Sequence, residues 1–355
     1  MMFYDRVKIW LPNITSYLEE MKTCDQDPIW HGEGDVLTHT IMVLDEVEKL
    51  LIKEDDKEIL RWTALLHDIG KPYVSTIEDG KIRSHGHSKK GYHIAMELLE
   101  NVELDFNDKL QILNLIRYHG DPPWVMEDSD PYRKIIKLSM DCRLDLLYHI
   151  SVCDFKGRIA PDTQEYMDKL NYFKELSIEL DCFSKPFNFT SNISRYKYIV
   201  EETHHFSDDP FDDTKSKVTM VCGLPGSGKD FYINKAFDIP VISLDEIRGE
   251  LKIKPTDEQG LVIQTAKERA RKYMRKGQDF VWNATNVTKQ MRSNLISLFN
   301  SYKSYISIVF INKPLATVLE QNKNRDIVVP EKVVLKLHKK MEYPSLNEAH
   351  EISIF

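Results

Sequence analysis

The sequence predicts a multi-domain protein, an N-terminal all-α bundle followed by a C-terminal α/β unit with a parallel sheet. Three observations predict it. Residues 1 to about 185 carry apolar side chains at spacings of three and four, without strand-like alternation. From Lys217 onward, short apolar runs alternate with helical stretches. Between them, residues 186–216 lose both periods and fill with Ser, Asn, Asp and Pro, the composition of a connector. The expected division is therefore 1–185, a linker over 186–216, and 217–355. A chain of 355 residues has room for two cores at roughly 100 to 200 residues per domain.

In the first part the apolar period predicts helices over 36–51, 59–69, 94–99, 110–118, 135–155 and 166–180. In the second it predicts strands over 218–222, 240–244, 280–282 and 306–311, separated by helices. The chain is 42% hydrophobic and 29% charged with only 14 Gly, which excludes a disordered or collagen-like protein. Its net charge of −8 excludes a polycation that coats DNA, so any nucleic-acid contact must come from a local basic patch. The five cysteines are scattered, with no Cys-x-x-Cys pair, and read as reduced thiols. With no signal-peptide pattern at the N-terminus and no apolar run of spanning length, the expectation is a cytoplasmic enzyme with no membrane partner.

The string GLPGSGK follows the strand over 218–222 and precedes a helix beginning at Asp230, the context a phosphate-binding loop requires. Gly223, Gly226, Ser227 and Gly228, with Pro225 shaping the same loop, would turn backbone N–H groups onto the phosphates of ATP or another nucleoside triphosphate, and Lys229 would reach the terminal ones. Asp230 stands where a Ser or Thr usually binds Mg2+. Its carboxylate can ligate the Mg2+, directly or through water, or it can simply favour the helix start, and both readings stay open.

After the second strand, SLDEIRGEL places Asp245 and Arg248 at the strand's carboxyl end, where ligands bind in open parallel sheets. Asp245 suits accepting a proton from an attacking hydroxyl, and Arg248, one turn on, suits a phosphate. The amide-rich NATN after the third strand makes Asn283, Thr285 and Asn286 substrate-side candidates. Arg325, in NKNRDIVVP, is a candidate for neutralising the transferred charge from a loop that closes over the phosphates. A basic groove could be built from Arg248, Arg269, Arg271, Lys272, Arg275 and Lys276, although such a run also suits a solvated helix face.

Taken in order, GLPGSGK, SLDEIRGEL, NATN and RDIVVPEKVV resemble the P-loop kinase domain of polynucleotide 5′-hydroxyl kinases over residues 217–343. The resemblance implies that Asp245 is the general base, that Arg248 contacts the acceptor's phosphate, that Lys229 binds ATP phosphates and that Arg325 is the lid arginine.

The helical half holds a second set: His39 in VLTHT, His67 and Asp68 in LLHDIGKP, His87 in SHGHSKKGYH, His119 in IRYHGDP and Asp154 in SVCDFKGR. Each lies on or at the end of an apolar helix, so several helices can aim imidazoles and carboxylates into one pocket. That donor mix suits a first-row divalent metal that lowers the pKa of bound water, which is hydrolytic chemistry. Ligand types leave Mn, Co, Ni, Zn and Fe open. The pattern over about 28–160 resembles the HD-domain phosphohydrolase superfamily. By that resemblance His39, His67, Asp68 and Asp154 ligate a first metal, while His87 and His119 bind a second metal or the scissile phosphate. Lys71 and Arg158 would hold substrate phosphate, His31 would line the pocket, and His85 and His93 read as surface or packing residues.

The two halves together resemble the bifunctional bacterial end-healing enzymes called HD-Pnk. The resemblance implies an ATP-dependent 5′-hydroxyl polynucleotide kinase joined to a 2′,3′-cyclic phosphodiesterase and 2′/3′-phosphatase. Its substrates would be RNA or DNA with 5′-hydroxyl and 3′-phosphate ends, and an RNA ligase would act downstream. The competing reading is an HD nucleotidase or cyclic-nucleotide phosphodiesterase fused to a small-metabolite kinase or an ATP-sensing domain.

Overall fold

Three helix starts in the N-terminal half are set by aspartates whose side chains satisfy free backbone N–H groups. In the computed structural model, which describes residues 3–161, 164–254, 257–325 and 327–355, Asp35 caps one long helix by accepting from Thr38 N at 2.9 Å. Asp105 and Asp130 cap two others in the same way. The chain divides into two units, Met1–Asn188 and Phe189–Phe355.

The first unit contains helices α1 (Phe3–Trp10), α2 (Ile14–Lys22), α3 (Val36–Glu48), α4 (Glu54–Leu66), α5 (His87–Leu99), α6 (Phe106–Tyr118), α7 (Pro131–Asp141), α8 (Leu144–Lys156) and α9 (Gln164–Glu179). α3 packs on α4 and α8, and α6 packs on α4 and α5. Leu60, Leu65, Leu66, Leu115, Ile116 and Ile150 are fully buried on these helices. An antiparallel hairpin, β1 (Thr76–Glu78) and β2 (Lys81–Arg83), interrupts the helices. The periodicity did not reveal it, because its six residues point no apolar face inward. The continuous helix predicted over 135–155 is two helices. Cys142 takes an extended conformation between them, and Arg143 is held there by Asp56 and Asp145.

The second unit contains α10 (Asn192–Tyr196), β3 (Ser216–Cys222), α11 (Lys229–Ala236), β4 (Val241–Ser243), α12 (Leu244–Leu251), α13 (Gly260–Arg275), β5 (Phe280–Asn283), α14 (Lys289–Asn300), β6 (Ser304–Phe310), α15 (Leu315–Lys323), α16 (Glu331–His338) and β7 (Glu351–Ile354). All five strands run parallel in the order β4-β5-β3-β6-β7. Strand order therefore reverses around β3, and its carboxyl end opens between those of β5 and β6, where such sheets bind ligands. Four of the strands overlap the predicted runs; β7 was not anticipated.

Residues 189–216, read as connector, belong to this unit. Ile193, Tyr196, Tyr198 and Ile199 are buried, Tyr196 stacks on His350 at 3.7 Å between ring centroids, and Arg195 donates to the His350 carbonyl. Among the described residues, no helix is long and apolar enough to cross a membrane.

Candidate metal centre and phosphate-binding site

The helices of the first unit bring His39 (α3), His67 and Asp68 (just after α4), His87 (α5), His119 (just after α6) and Asp154 (α8) together. Ligand-type atoms of His39, His67 and Asp154 lie within 4.8 Å of one another, as do those of Asp68, His87 and His119. Asp68, a member of the second trio, also reaches the first. Its Oδ2 is 3.2 Å from His67 Nε2 and 3.8 Å from His39 Nε2, while its Oδ1 is 3.4 Å from His87 Nε2 and 3.9 Å from His119 Nε2.

Ring orientation tests whether these residues fit a metal. His67, His87 and His119 each place Nδ1 on a backbone carbonyl, of Ala64 (2.7 Å), Ser84 (2.9 Å) and Ile116 (2.9 Å). An Nδ1–H donating there leaves the Nε2 lone pair facing the pocket, the arrangement second partners impose on metal-binding imidazoles. His87 Nε2 and His119 Nε2 are 3.2 Å apart, so two lone pairs converge unless a cation lies near. His67 Nε2 and Asp68 Oδ1 are buried and carry no hydrogen bond, which costs stability unless something satisfies them. The donor set therefore fits divalent metal.

The electrostatics agree. Burial, reinforced by His67 and His87, pushes His119 down to about 3, keeping it neutral as a ligand must be. Burial also lowers His87. Burial would raise Asp68 and Asp154, but His67 and Lys71 around the first, and Arg158 and His39 around the second, outweigh it and hold both well below the usual carboxylate range. Two cations flank the centre: Lys71 Nζ lies 2.7 Å from Asp68 and 2.6 Å from Gln26 Oε1, and Arg158 lies 2.7 Å from Asp154.

Glu33 is a participant that sequence reasoning missed. It meets Nδ1 of both His31 (2.8 Å) and His39 (2.9 Å), and Ile159 N donates to it at 2.8 Å. Its side chain is only 1% exposed. The pattern HGEGD placed it beside His31, but its bond to Ile159 is a tertiary event no local spacing announces. His85 is exposed near Glu78, and His93 packs edge-on against Tyr92.

In the second unit the phosphate loop follows β3. Gly223, Gly226 and Gly228 have φ of 146°, 86° and 92°. At Gly226 a side chain would also meet the Val318 carbonyl at 2.7 Å, so glycine is required there on two grounds. Pro225 and Ser227 are buried beneath the turn. Lys229 Nζ donates to the Gly223 and Leu224 carbonyls at 3.0 and 2.9 Å. Burial lowers its pKa to about 8, against the opposing pull of Asp230.

Asp245, in the first turn of α12, and Arg248, one turn further on, form an ion pair. Arg325, in the loop after α15, reaches the other Asp245 oxygen at 3.4 Å, and Gln259 holds Arg248 at 2.8 Å. The loop's base is fixed by Asn322, whose amide exchanges two hydrogen bonds with the backbone of Val329. Asn283 ends β5 and donates to Asp230 at 2.6 Å. Thr285 contributes its carbonyl to Gly223 N at 2.9 Å, and Asn286 is buried at a φ of 38°.

The basic helix α13 is less cationic than its sequence. Arg269 pairs with Glu250 and Arg271 with Glu268, while Lys272 and Arg275 on the helix and Lys276 just after it are exposed.

Comparison with known proteins matches residues 36–139 to the HD domain family and residues 218–344 to a family described as AAA domain. An A-adding tRNA nucleotidyltransferase of Deinococcus radiodurans is 31% identical over 88 residues, covering 24% of this chain and 20% of that protein. A multifunctional CCA protein of Actinobacillus pleuropneumoniae is 30% identical over 89 residues, 25% of this chain and 21% of that protein. The chain thus spans about a fifth of the length of the curated relatives it matches. Among solved structures, a sugar kinase from Janibacter sp. HTCC2649 aligns with a TM-score of 0.31 at 12% identity, covering 39% of this chain and 84% of that one. A gluconokinase from Sinorhizobium meliloti 1021 aligns with a TM-score of 0.30 at 16% identity, covering 40% and 83%. The chain thus joins an N-terminal segment that matches the HD domain family to a C-terminal phosphate-loop segment that matches the AAA domain family.

Proposed function

We propose that the chain is a bifunctional nucleic-acid end-healing enzyme of the cytoplasm. Its C-terminal unit transfers the γ-phosphate of ATP to a 5′-hydroxyl end, and its N-terminal unit removes a 2′,3′-cyclic, 2′- or 3′-phosphate. The ends so produced suit a ligase. The observation that carries this reading is the gathering of Asp245 with Arg248 and Arg325 beside the phosphate loop, because an ATP sensor has no use for a proton acceptor there.

In the transfer, Lys229 moves from the carbonyls of Gly223 and Leu224 to the phosphates that replace them. Asp245 exchanges its arginine contacts for the acceptor hydroxyl and takes its proton. Arg325, released from Asp245, faces the phosphoryl group, while Arg248 holds the acceptor's phosphate. Mg2+ accompanying the nucleotide would be held by Asp230, whose carboxylate Asn283 orients.

In the hydrolytic site His39, His67, Asp68 and Asp154, with His87 and His119, would hold divalent metal, which when bound supplies a water of lowered pKa and polarises phosphoryl oxygen. Lys71 and Arg158 bind the substrate's phosphate oxygens. Glu33 fixes the rings of His31 and His39.

The test is mass spectrometry of an RNA oligonucleotide with a 5′-hydroxyl and a 2′,3′-cyclic phosphate, incubated with protein, ATP and divalent metal. A 5′-phosphate should appear with wild type and with His67→Ala but not with Asp245→Ala. The terminal phosphate should be lost with wild type and Asp245→Ala but not with His67→Ala. Turnover of mononucleotides or small metabolites alone, with both RNA ends unchanged, would replace the polynucleotide reading.

A further inference from the structure

In phosphate-loop enzymes Mg2+ is commonly held by a neutral hydroxyl that follows the loop lysine and by a carboxylate at the end of a neighbouring strand. This chain has the two chemistries the other way round. The carboxylate, Asp230, is in the first turn of α11 directly after Lys229, and the neutral group, Asn283, is the last residue of β5, adjacent to β3 in the sheet. The two side chains touch, Asn283 Nδ2 donating to Asp230 Oδ1 at 2.6 Å. Asn283 is buried, pinned by its strand neighbours Val221 and Ser243, so the amide has a fixed aim. With its N–H on Asp230, the other oxygen of the carboxylate is left to meet a cation beside the phosphates.

We propose that the nucleotide's Mg2+ site in this protein is inverted, with Asp230 as the anionic ligand and Asn283 as the positioning residue that orients it. This rests on the loop binding a nucleoside triphosphate. The exchange keeps one negative charge in the site but moves it from the strand to the loop helix. A hard divalent ion accepts carboxylate oxygen from either position. The relocation has a consequence the usual arrangement lacks, because a carboxylate next to the loop repels phosphates that arrive without metal. Nucleotide binding is therefore more dependent on Mg2+ than a hydroxyl at 230 would make it.

The experiment measures ADP affinity of the full chain by titration calorimetry with and without Mg2+, and Mn2+ binding to the ADP complex by electron paramagnetic resonance. Mg2+ should tighten ADP at least about tenfold in the wild type. Asp230→Ser should bind metal-free ADP better, lose about a factor of ten of that tightening and bind Mn2+ weakly. The exchange Asp230→Ser with Asn283→Asp should return both readouts to within about threefold of wild type, which also shows that the substituted loop folds. Unchanged Mg2+ dependence in Asp230→Ser would mean that the carboxylate merely favours the helix start, and overturns the inference. So does failure of the exchange to restore metal binding while ADP still binds. If the wild type binds no ADP with or without Mg2+, the nucleotide reading of the loop fails and the inference falls with it.

Discussion

Lys229 spans the distance between a buried amine and a phosphate ligand. Burial has brought its pKa to about 8, so the free protein loses this charge as pH rises through 8, whereas a bound phosphate restores it. ADP affinity should therefore fall between about pH 8 and 10, the upper limit set by the pKa of an ordinary lysine, with binding taking up a proton in that window. Calorimetry in two buffers of different ionisation enthalpy reads the uptake directly, and Lys229→Met should abolish it. This residue was legible in the sequence because strand, glycine turn and lysine are contiguous. The same is true of Asp68, which follows His67 just past the end of an apolar helix. Glu33 and Gln26 were not legible, since each gains its role only by meeting a distant group: Ile159 N for the first, Lys71 for the second. The inverted Asp230 and Asn283 pair was visible as an oddity in each motif, but the contact between them is a product of the sheet.

Helices α3, α4, α6 and α9 overlap the predicted runs closely, because burial imposes the period that reveals them, whereas the shorter α1 and α2 were not singled out. The hairpin of β1 and β2 has no buried face, and β7 has four residues with an exposed position among them, so neither had a pattern to show. The break between α7 and α8 was masked by apolar residues that continue on both sides of Cys142. How closely elements approach was equally hidden. The turn after α4 lies so near the start of α5 that a side chain on Gly70 would meet Gly91 N at 2.6 Å, with the His87 carbonyl closer still. Gly70→Ala should therefore push α5 away and draw His87 from Asp68. Calorimetry or elemental analysis should find that the variant retains less metal. Hydrolysis should fall by at least about tenfold, the order seen when groups supporting a metal site are lost, while phosphorylation of a 5′-hydroxyl stays within about twofold of wild type. Equal loss of both activities would count against this view of the turn.

The division of the chain into two units makes a simple demand on fragments. Composition placed a connector over 186–216, because Ser, Asn, Asp and Pro dominate there. The buried side chains within it are few and irregularly spaced, so no period exposed them. Yet Tyr196 is stacked on His350 and Arg195 holds the same residue's carbonyl. A fragment of residues 189–355 should fold and bind ADP, with Trp282, its sole tryptophan and 1% exposed, reporting a cooperative urea transition. A fragment of residues 211–355 lacks that packing and should be less stable by about 3 kcal/mol or more, on the scale of losing a buried aromatic side chain. Equal urea midpoints for the two fragments would mean that residues 189–210 add nothing to the fold.

The ring geometry of the histidines reaches beyond catalysis into spectroscopy. The Nδ1–H groups of His67 and His119 are bonded to helix carbonyls inside the protein, so their protons are sheltered from exchange with water and persist long enough to give separate magnetic-resonance signals. Each such proton sits across one imidazole from the Nε2 that faces the pocket. Loading of the centre is thereby written onto two resonances that can be followed in intact protein, with no substrate present and no turnover required.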